Sequence, residues 1–314
     1  MEKKMSFLKK LVVFFVIISV FFGCSRYKIY DFAIESTRKK ADLEFSKIKI
    51  PQGEIVYLSN FNSKTNKKNQ EYLILVHGFG SNKDSWLKFS DELKDEFKIA
   101  ALDLPGHGES FFEQSLEYTI NNQAGWLRDF MDSLEIEKAH LIGNSMGGAI
   151  SLKFASKFPK KITTLTLIDS AGIFKTETEF TKALEKGENP LVVENKKEFD
   201  ELMDLVMEKK PYIPGPVYKV LAEKKINRKS KDQKIFNDMS KDIYDLSGEA
   251  ENLKIPALIL WGEKDKILHV DNGFEFGKKI KKSKVVVFEK TGHLPMMEVP
   301  EKSAEAFREF VLAN

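Results

Sequence analysis

The chain has 314 residues, 42% of them hydrophobic, which is enough for one large domain with a sizeable core. Its formal net charge of +3 is contained in residues 1–23, where Lys3, Lys4, Lys9 and Lys10 face only Glu2, so the remainder is close to neutral. A neutral body excludes nucleic acid as the main partner, and a single cysteine, Cys24, excludes an intrachain disulfide framework.

The N-terminal "MEKKMSFLKK" is basic and the following "LVVFFVIISVFF" is apolar, the pattern of an export signal. The apolar run is short for a membrane span, which needs about 20 residues. It ends at Gly23-Cys24 and resembles the signal of bacterial lipoproteins, in which the Cys becomes the lipidated N-terminus. Phe21 and Phe22 stand where such signals carry Leu and a small residue, and an uncleaved signal anchor is the alternative. The resemblance implies a signal segment at 1–24, a lipid on Cys24 and an exported, membrane-anchored lipoprotein of the cell envelope. Residues 25–49 carry an amphipathic pattern that predicts a helical stalk.

From residue 50 onward, apolar runs alternate with helical periodicity. "GEIVYLSN", "EYLILVHGFG", "FKIAALDLPGHGES", "KAHLIGNS", "ITTLTLIDSAG", "PALILWGEKD" and "KVVVFEKTGH" read as strands. "NNQAGWLRDFMDSLEI" reads as a helix with Trp126, Leu127, Phe130, Met131 and Leu134 on one face. "MGGAISLKFASKF" and "EKSAEAFREFVLAN" read as further helices. Continuous apolar strands separated by helices predict an α/β fold with a mostly parallel sheet flanked by helices. Residues 173–250 break this rhythm and predict a helical cap inserted before the last strands. The core is then 50–172 and 251–314.

"GNSMGG" at 143–148 lies between a strand and a helix and fits G-x-S-x-G. In that motif the Ser occupies a strained strand-to-helix turn, and side chains two positions either side would collide. Ser145 is therefore the candidate nucleophile, and the backbone N–H of Met146 a candidate oxyanion donor. "LVHGFG" at 75–80 follows a strand and resembles the oxyanion loop of α/β-hydrolases, which implies the N–H of Phe79 as the second donor. "WGEKDKIL" places Asp265 just past a late strand, and "TGHLPMMEVPE" places His293 in the loop after the last one. Ser145 needs a base, His293 can take and return its proton, and Asp265 would fix the imidazole tautomer. Glu263 is a weaker candidate for the acid. Asp103 and Asp169 end central strands, where each could face the site or order a loop. His77, His107, His140 and His269 read as loop, packing or surface residues. No clustered His/Cys/Asp spacing points to a metal, and no strand-linked phosphate-binding glycine motif points to a nucleotide cofactor.

The motifs resemble the α/β-hydrolase superfamily from about residue 50 to the end. "GNSMGGAIS", "KFPKKI", "LIDSAG", "NPL", "FDELMDLVMEKKPYIP" and "WGEKDKIL" are similar to bacterial cell-associated triacylglycerol lipases with a lipoprotein-type signal. The resemblance implies an α/β-hydrolase fold, a Ser145–Asp265–His293 triad, an acyl-enzyme route without cofactor or metal, and an ester or lipid substrate. It leaves two other activities of the same fold open, a short-chain carboxylesterase and a carbon–carbon bond hydrolase. A non-enzymatic acyl-binding lipoprotein is the more distant alternative.

Overall fold

The structure is a computed structural model that describes residues 25–63 and 69–314. The signal segment and Cys24 lie outside the described residues. Among the described residues, no helix is long and apolar enough to cross a membrane.

An eight-stranded sheet runs through the molecule in the order β1-β2-β4-β3-β5-β6-β7-β8. The strands are β1 (Glu44–Ile50), β2 (Gly53–Ser59), β3 (Tyr72–Val76), β4 (Lys98–Leu102), β5 (Ala139–Asn144), β6 (Ile162–Ile168), β7 (Ala257–Gly262) and β8 (Ser283–Phe288). Among the described residues, the β1–β2 and β2–β4 pairings are antiparallel, so β2 alone is reversed, and the other pairings are parallel. Every residue of the central strands β5 and β7 is buried, as expected of strands covered by helices on both faces.

The helices begin with α1, residues 25–40, followed by α2 (Leu87–Leu93), α3 (Ile120–Ser133) and α4 (Met146–Lys157). Next come α5 (Glu179–Glu185), α6 (Lys196–Val206), α7 (Gly215–Ile226), α8 (Lys229–Met239) and α9 (Ser247–Asn252), all between β6 and β7. The chain closes with α10 (Asp271–Lys279), α11 (Pro295–Glu298) and α12 (Pro300–Leu312). Helix α3 starts at Thr119, whose hydroxyl accepts the N–H of Asn122, and buries Trp126, Leu127, Phe130 and Met131. Each such side chain removed from water contributes about 1.5–3 kcal/mol before entropy costs. Trp126 also meets the rings of Phe111 and Tyr118 edge-on.

The segment 25–49 departs from the expected stalk. Its helix stops at residue 40, the chain turns through Asp42 at φ +54°, and β1 begins at Glu44. "KIKI" alternates with period two, and a tight connection at Pro51-Gln52 folds β1 back on β2. Helix α1 does not stand free either. Tyr30 is buried against Val217 and Val220 of α7, Arg26 pairs with Glu223 at 3.0 Å, and Tyr27 donates to the same carboxylate. At its other end, Arg38 is bidentate on Asp84 at 2.7 and 2.9 Å. The helix thus joins the insertion to the sheet layer.

Candidate active site

Strand β5 delivers Ser145 into a backbone conformation of φ +54°, ψ −119°, and α4 starts at the next residue. Such a backbone is costly for a residue with a side chain and persists only where the surroundings enforce it. The flanking glycines show the enforcement. A Cβ on Gly143 would lie 2.2 Å from the carbonyl oxygen of Gly147, and one on Gly147 would lie 2.3 Å from that of Val76. The Ser145 N–H donates to Ile168 O at 3.0 Å, which ties the turn to the end of β6. The turn therefore places the Ser145 side chain at the first turn of a helix, where unpaired N–H groups gather and favour negative charge.

The loop after β3 lies against this turn. A Cβ on Gly78 would be 3.2 Å from Ser145 Cβ, so the backbone of residues 78–79 passes directly beside the nucleophile candidate. His77 is fully buried, with Nδ1 bonded to Gly78 O at 2.8 Å and Nε2 accepting the Leu104 N–H at 3.0 Å. Burial pushes its pKa down to about 4. It is a neutral brace for the loop and not a proton carrier. Asp103 has the same kind of task, gathering the Lys83 N–H, the Lys83 ammonium and the Glu109 N–H.

Asp265 and His293 come together from the loops after β7 and β8. His293 Nδ1 is 2.7 Å from Asp265 Oδ2, and both side chains are almost completely buried. The other oxygen, Oδ1, accepts the N–H groups of Ile267 and Leu268 at 2.8 and 3.0 Å. With Nδ1 donating to the acid, Nε2 is left as the acceptor. Two residues that carry no signature of their own in the sequence hold the histidine loop. Asn144, in the elbow itself, donates to His293 O at 3.1 Å and to Ile168 O at 3.2 Å. Glu298 accepts the N–H groups of Gly292, Glu208 and Lys209, clasping the loop to the segment after α6. The His293 N–H also donates to Val206 O at 3.0 Å.

The remaining sequence candidates sort by position. Glu263 is exposed and accepts the Lys290 N–H. His140 is buried between Thr164 and Glu71, and His107 packs edge-on against His77. Burial pushes both of these imidazoles down. Asp169 is at the site: one oxygen of Asp169, one of Asp265 and one ring nitrogen of His293 all lie within 4.8 Å of one another. Asp265 and His293 are already committed to each other, so this convergence needs no metal to explain it.

Ser145 and Met146 form part of the wall of an apolar pocket beneath the insertion, together with Phe79, Phe174, Phe180, Leu184, Phe236, Met239, Ile243, Ile267 and Leu268. Of the insertion's apolar residues, Phe174, Phe180 and Leu184 face this pocket, whereas Phe199 and Met203 form a separate cluster and Tyr212 is 92% exposed. The insertion also grips the loop beside Ser145. Phe236 of α8 meets the Phe79 ring at 5.7 Å, and the Lys225 ammonium lies 5.3 Å from the centre of that ring. Lys225 and Arg228 share the buried carboxylate of Asp232, and Arg228 reaches Gly106 O at 3.0 Å. The contacts to Phe79 and Gly106 come from residues distant in the chain and are not readable from local sequence.

Residues 71–300 match the α/β hydrolase fold family. The chain is 34% identical over 283 residues to Lipase 3 of Moraxella sp. (strain TA144), covering 88% of this chain and 87% of that one. It is equally similar, in identity and coverage, to Lipase 1 of Psychrobacter immobilis. Among solved structures, a membrane phospholipase A described as a bacterial virulence factor superposes with a TM-score of 0.90 at 31% identity, covering 98% of both chains.

Proposed function

The chain belongs to the α/β hydrolase family, and on that premise we propose that it is a lipase-type carboxylic ester hydrolase that cleaves acylglycerols, triacylglycerol among them, through an acyl-Ser145 intermediate. The observation that carries the reading is the placement of Ser145, on an enforced strand-to-helix turn, in the wall of a pocket lined almost entirely by apolar side chains. An acyl chain fits that lining, and a charged or polar acyl group does not.

In this mechanism His293 Nε2 removes the Ser145 proton as Oγ attacks the ester carbonyl. The Asp265 carboxylate orients the imidazole and balances its charge. The N–H groups of Met146 and Phe79 receive the oxyanion, and a missing donor would cost roughly 3 kcal/mol in the barrier. His293 then gives its proton to the leaving alcohol, and water regenerates Ser145 by the reverse path. The roles need neither metal nor cofactor.

A hydrolysis profile over p-nitrophenyl esters of two to sixteen carbons, with emulsified triglyceride and phospholipid as natural esters, tests the substrate class. Each methylene buried is worth about 0.8 kcal/mol, or roughly fourfold in kcat/KM, until the pocket is filled. The expected profile therefore climbs steeply from acetate, and triglyceride is turned over. Acetate as the preferred ester, with no release of fatty acid from triglyceride, would identify a short-chain esterase instead.

We also propose that Cys24 carries a lipid that tethers the enzyme to a membrane of the cell envelope. The basic and apolar tail supports this, as does α1, which docks on α7 through Tyr30. A tether there would hold the cap side toward the lipid. One acyl chain anchors only weakly, whereas the bacterial modification has three. Cys24→Ser is expected to abolish labelling by an alkyne fatty acid and to release the protein from membranes. Unchanged labelling would exclude lipidation at this position.

A further inference from the structure

Asp169 directly follows β6 at φ +42°, fully buried, in a position that a proton-relay role for Asp265 and His293 does not itself require. Its Oδ1 accepts the Gly262 N–H at 2.9 Å, while its Oδ2 is buried without a hydrogen-bond partner among the described residues. That orphan oxygen belongs to a carboxyl whose neighbour is the Asp265 carboxylate, within the 4.8 Å group that also holds a ring nitrogen of His293. Two buried carboxyls this close do not both ionise, because each charge opposes the other in a poorly solvated site. The donors decide which one carries the charge. Among the described residues, Asp265 receives the N–H groups of Ile267 and Leu268 and that of His293, whereas Asp169 receives only that of Gly262.

We propose that Asp169 is held as a neutral carboxylic acid whose proton is directed at the Asp265 carboxylate, making it a positioning residue for the triad acid. This rests on the assignment of Asp265 and His293 as acid and base. Burial, followed by the charge of Asp265, pushes Asp169 well above the ordinary carboxylate range, with Glu298 of α11 adding in the same direction. A donor at this point satisfies an oxygen that would otherwise be orphaned. It also steadies Asp265 without competing for the imidazole. Ionisation of Asp169 would replace that donor by a second anion beside Asp265 and disturb the pair.

The proposal separates by chemistry from a purely structural role. Asp169→Asn retains a donor of the same shape that cannot ionise, so it should keep kcat/KM within about threefold of the parent. Asp169→Leu keeps the volume but has no donor, so it should lose tenfold or more, mainly in kcat, with an unchanged circular dichroism spectrum. The parent should lose activity on the alkaline side as Asp169 ionises, and Asp169→Asn should lack that fall. Stability gives a second reading. The native state holds a proton on Asp169 that the unfolded chain gives up above the ordinary carboxylate range, so parental stability declines with rising pH until the raised pKa is passed. Asp169→Asn has no such proton, and its melting temperature relative to the parent should rise across that window. Full activity in Asp169→Leu, or a pH-independent difference in melting temperature between Asp169→Asn and the parent, would overturn the proposal. Failure of the triad assignment reads differently, since Asp169→Asn would then be the inactive variant and Asp265→Asn the active one.

Discussion

Ser145→Ala is expected to fold normally and to lose essentially all ester hydrolysis, on the order of 10⁶ in turnover by analogy with nucleophile removal in other serine hydrolases. The fold should survive because the strained turn is enforced from outside Ser145. Gly143, Gly147 and Val76 close it sterically, and hydrogen bonds from the Ser145 N–H to Ile168 O and from the Ala171 N–H to Ser145 O hold it in place. None of these contacts uses the Ser145 hydroxyl. What is lost is the only proposed nucleophile, so the pocket and both oxyanion donors would remain with nothing to acylate. Purified variant retaining more than a few per cent of parental activity would remove Ser145 from the reaction.

The second large effect is expected at Asp265. Its Oδ1 is committed to two backbone N–H groups, so an Asn at this position would keep its carbonyl oxygen there and turn its amide toward His293. Nδ1 would then have to accept, and the ring proton would move to Nε2, the atom that must be free to take the Ser145 proton. The wrong tautomer costs roughly 10⁴ in turnover where it has been engineered. Asp265→Asn should therefore fall by about that factor on a soluble ester, with the fold intact by circular dichroism. Asp169→Asn, assayed in parallel, should stay close to the parent.

Most of the sheet is legible in the sequence because its central strands are buried on both faces and so read as unbroken apolar runs. "LILV" and "ALILW" need no tertiary information to be recognised. The elbow is legible for a different reason: steric exclusion at Gly143 and Gly147 leaves glycine as the residue that fits. Strand β1 escapes because it is an edge strand. Exposed Lys47 and Lys49 alternate with Ile48 and Ile50, and the amphipathic stretch before it invites the helix to be drawn too long. The grip of Asn144 on the histidine loop, that of Glu298 on the backbone of Glu208 and Lys209, and that of Lys225 and Phe236 on Phe79 join residues scores of positions apart. No local pattern encodes such contacts. Asp169 shows the same limit, since its strand-end position marks it as relevant while only the folded chain shows which carboxyl faces His293 directly.

The most direct test is to trap the covalent intermediate. Enzyme mixed with a chromogenic long-chain ester, quenched in acid during turnover and analysed by intact-protein and peptide mass spectrometry, should carry one acyl group on the peptide containing Ser145. The same experiment on Ser145→Ala should give no adduct. Rapid turnover with no acyl-protein under conditions where deacylation is slowed, or an acyl group mapped to another residue, would contradict a mechanism through acyl-Ser145.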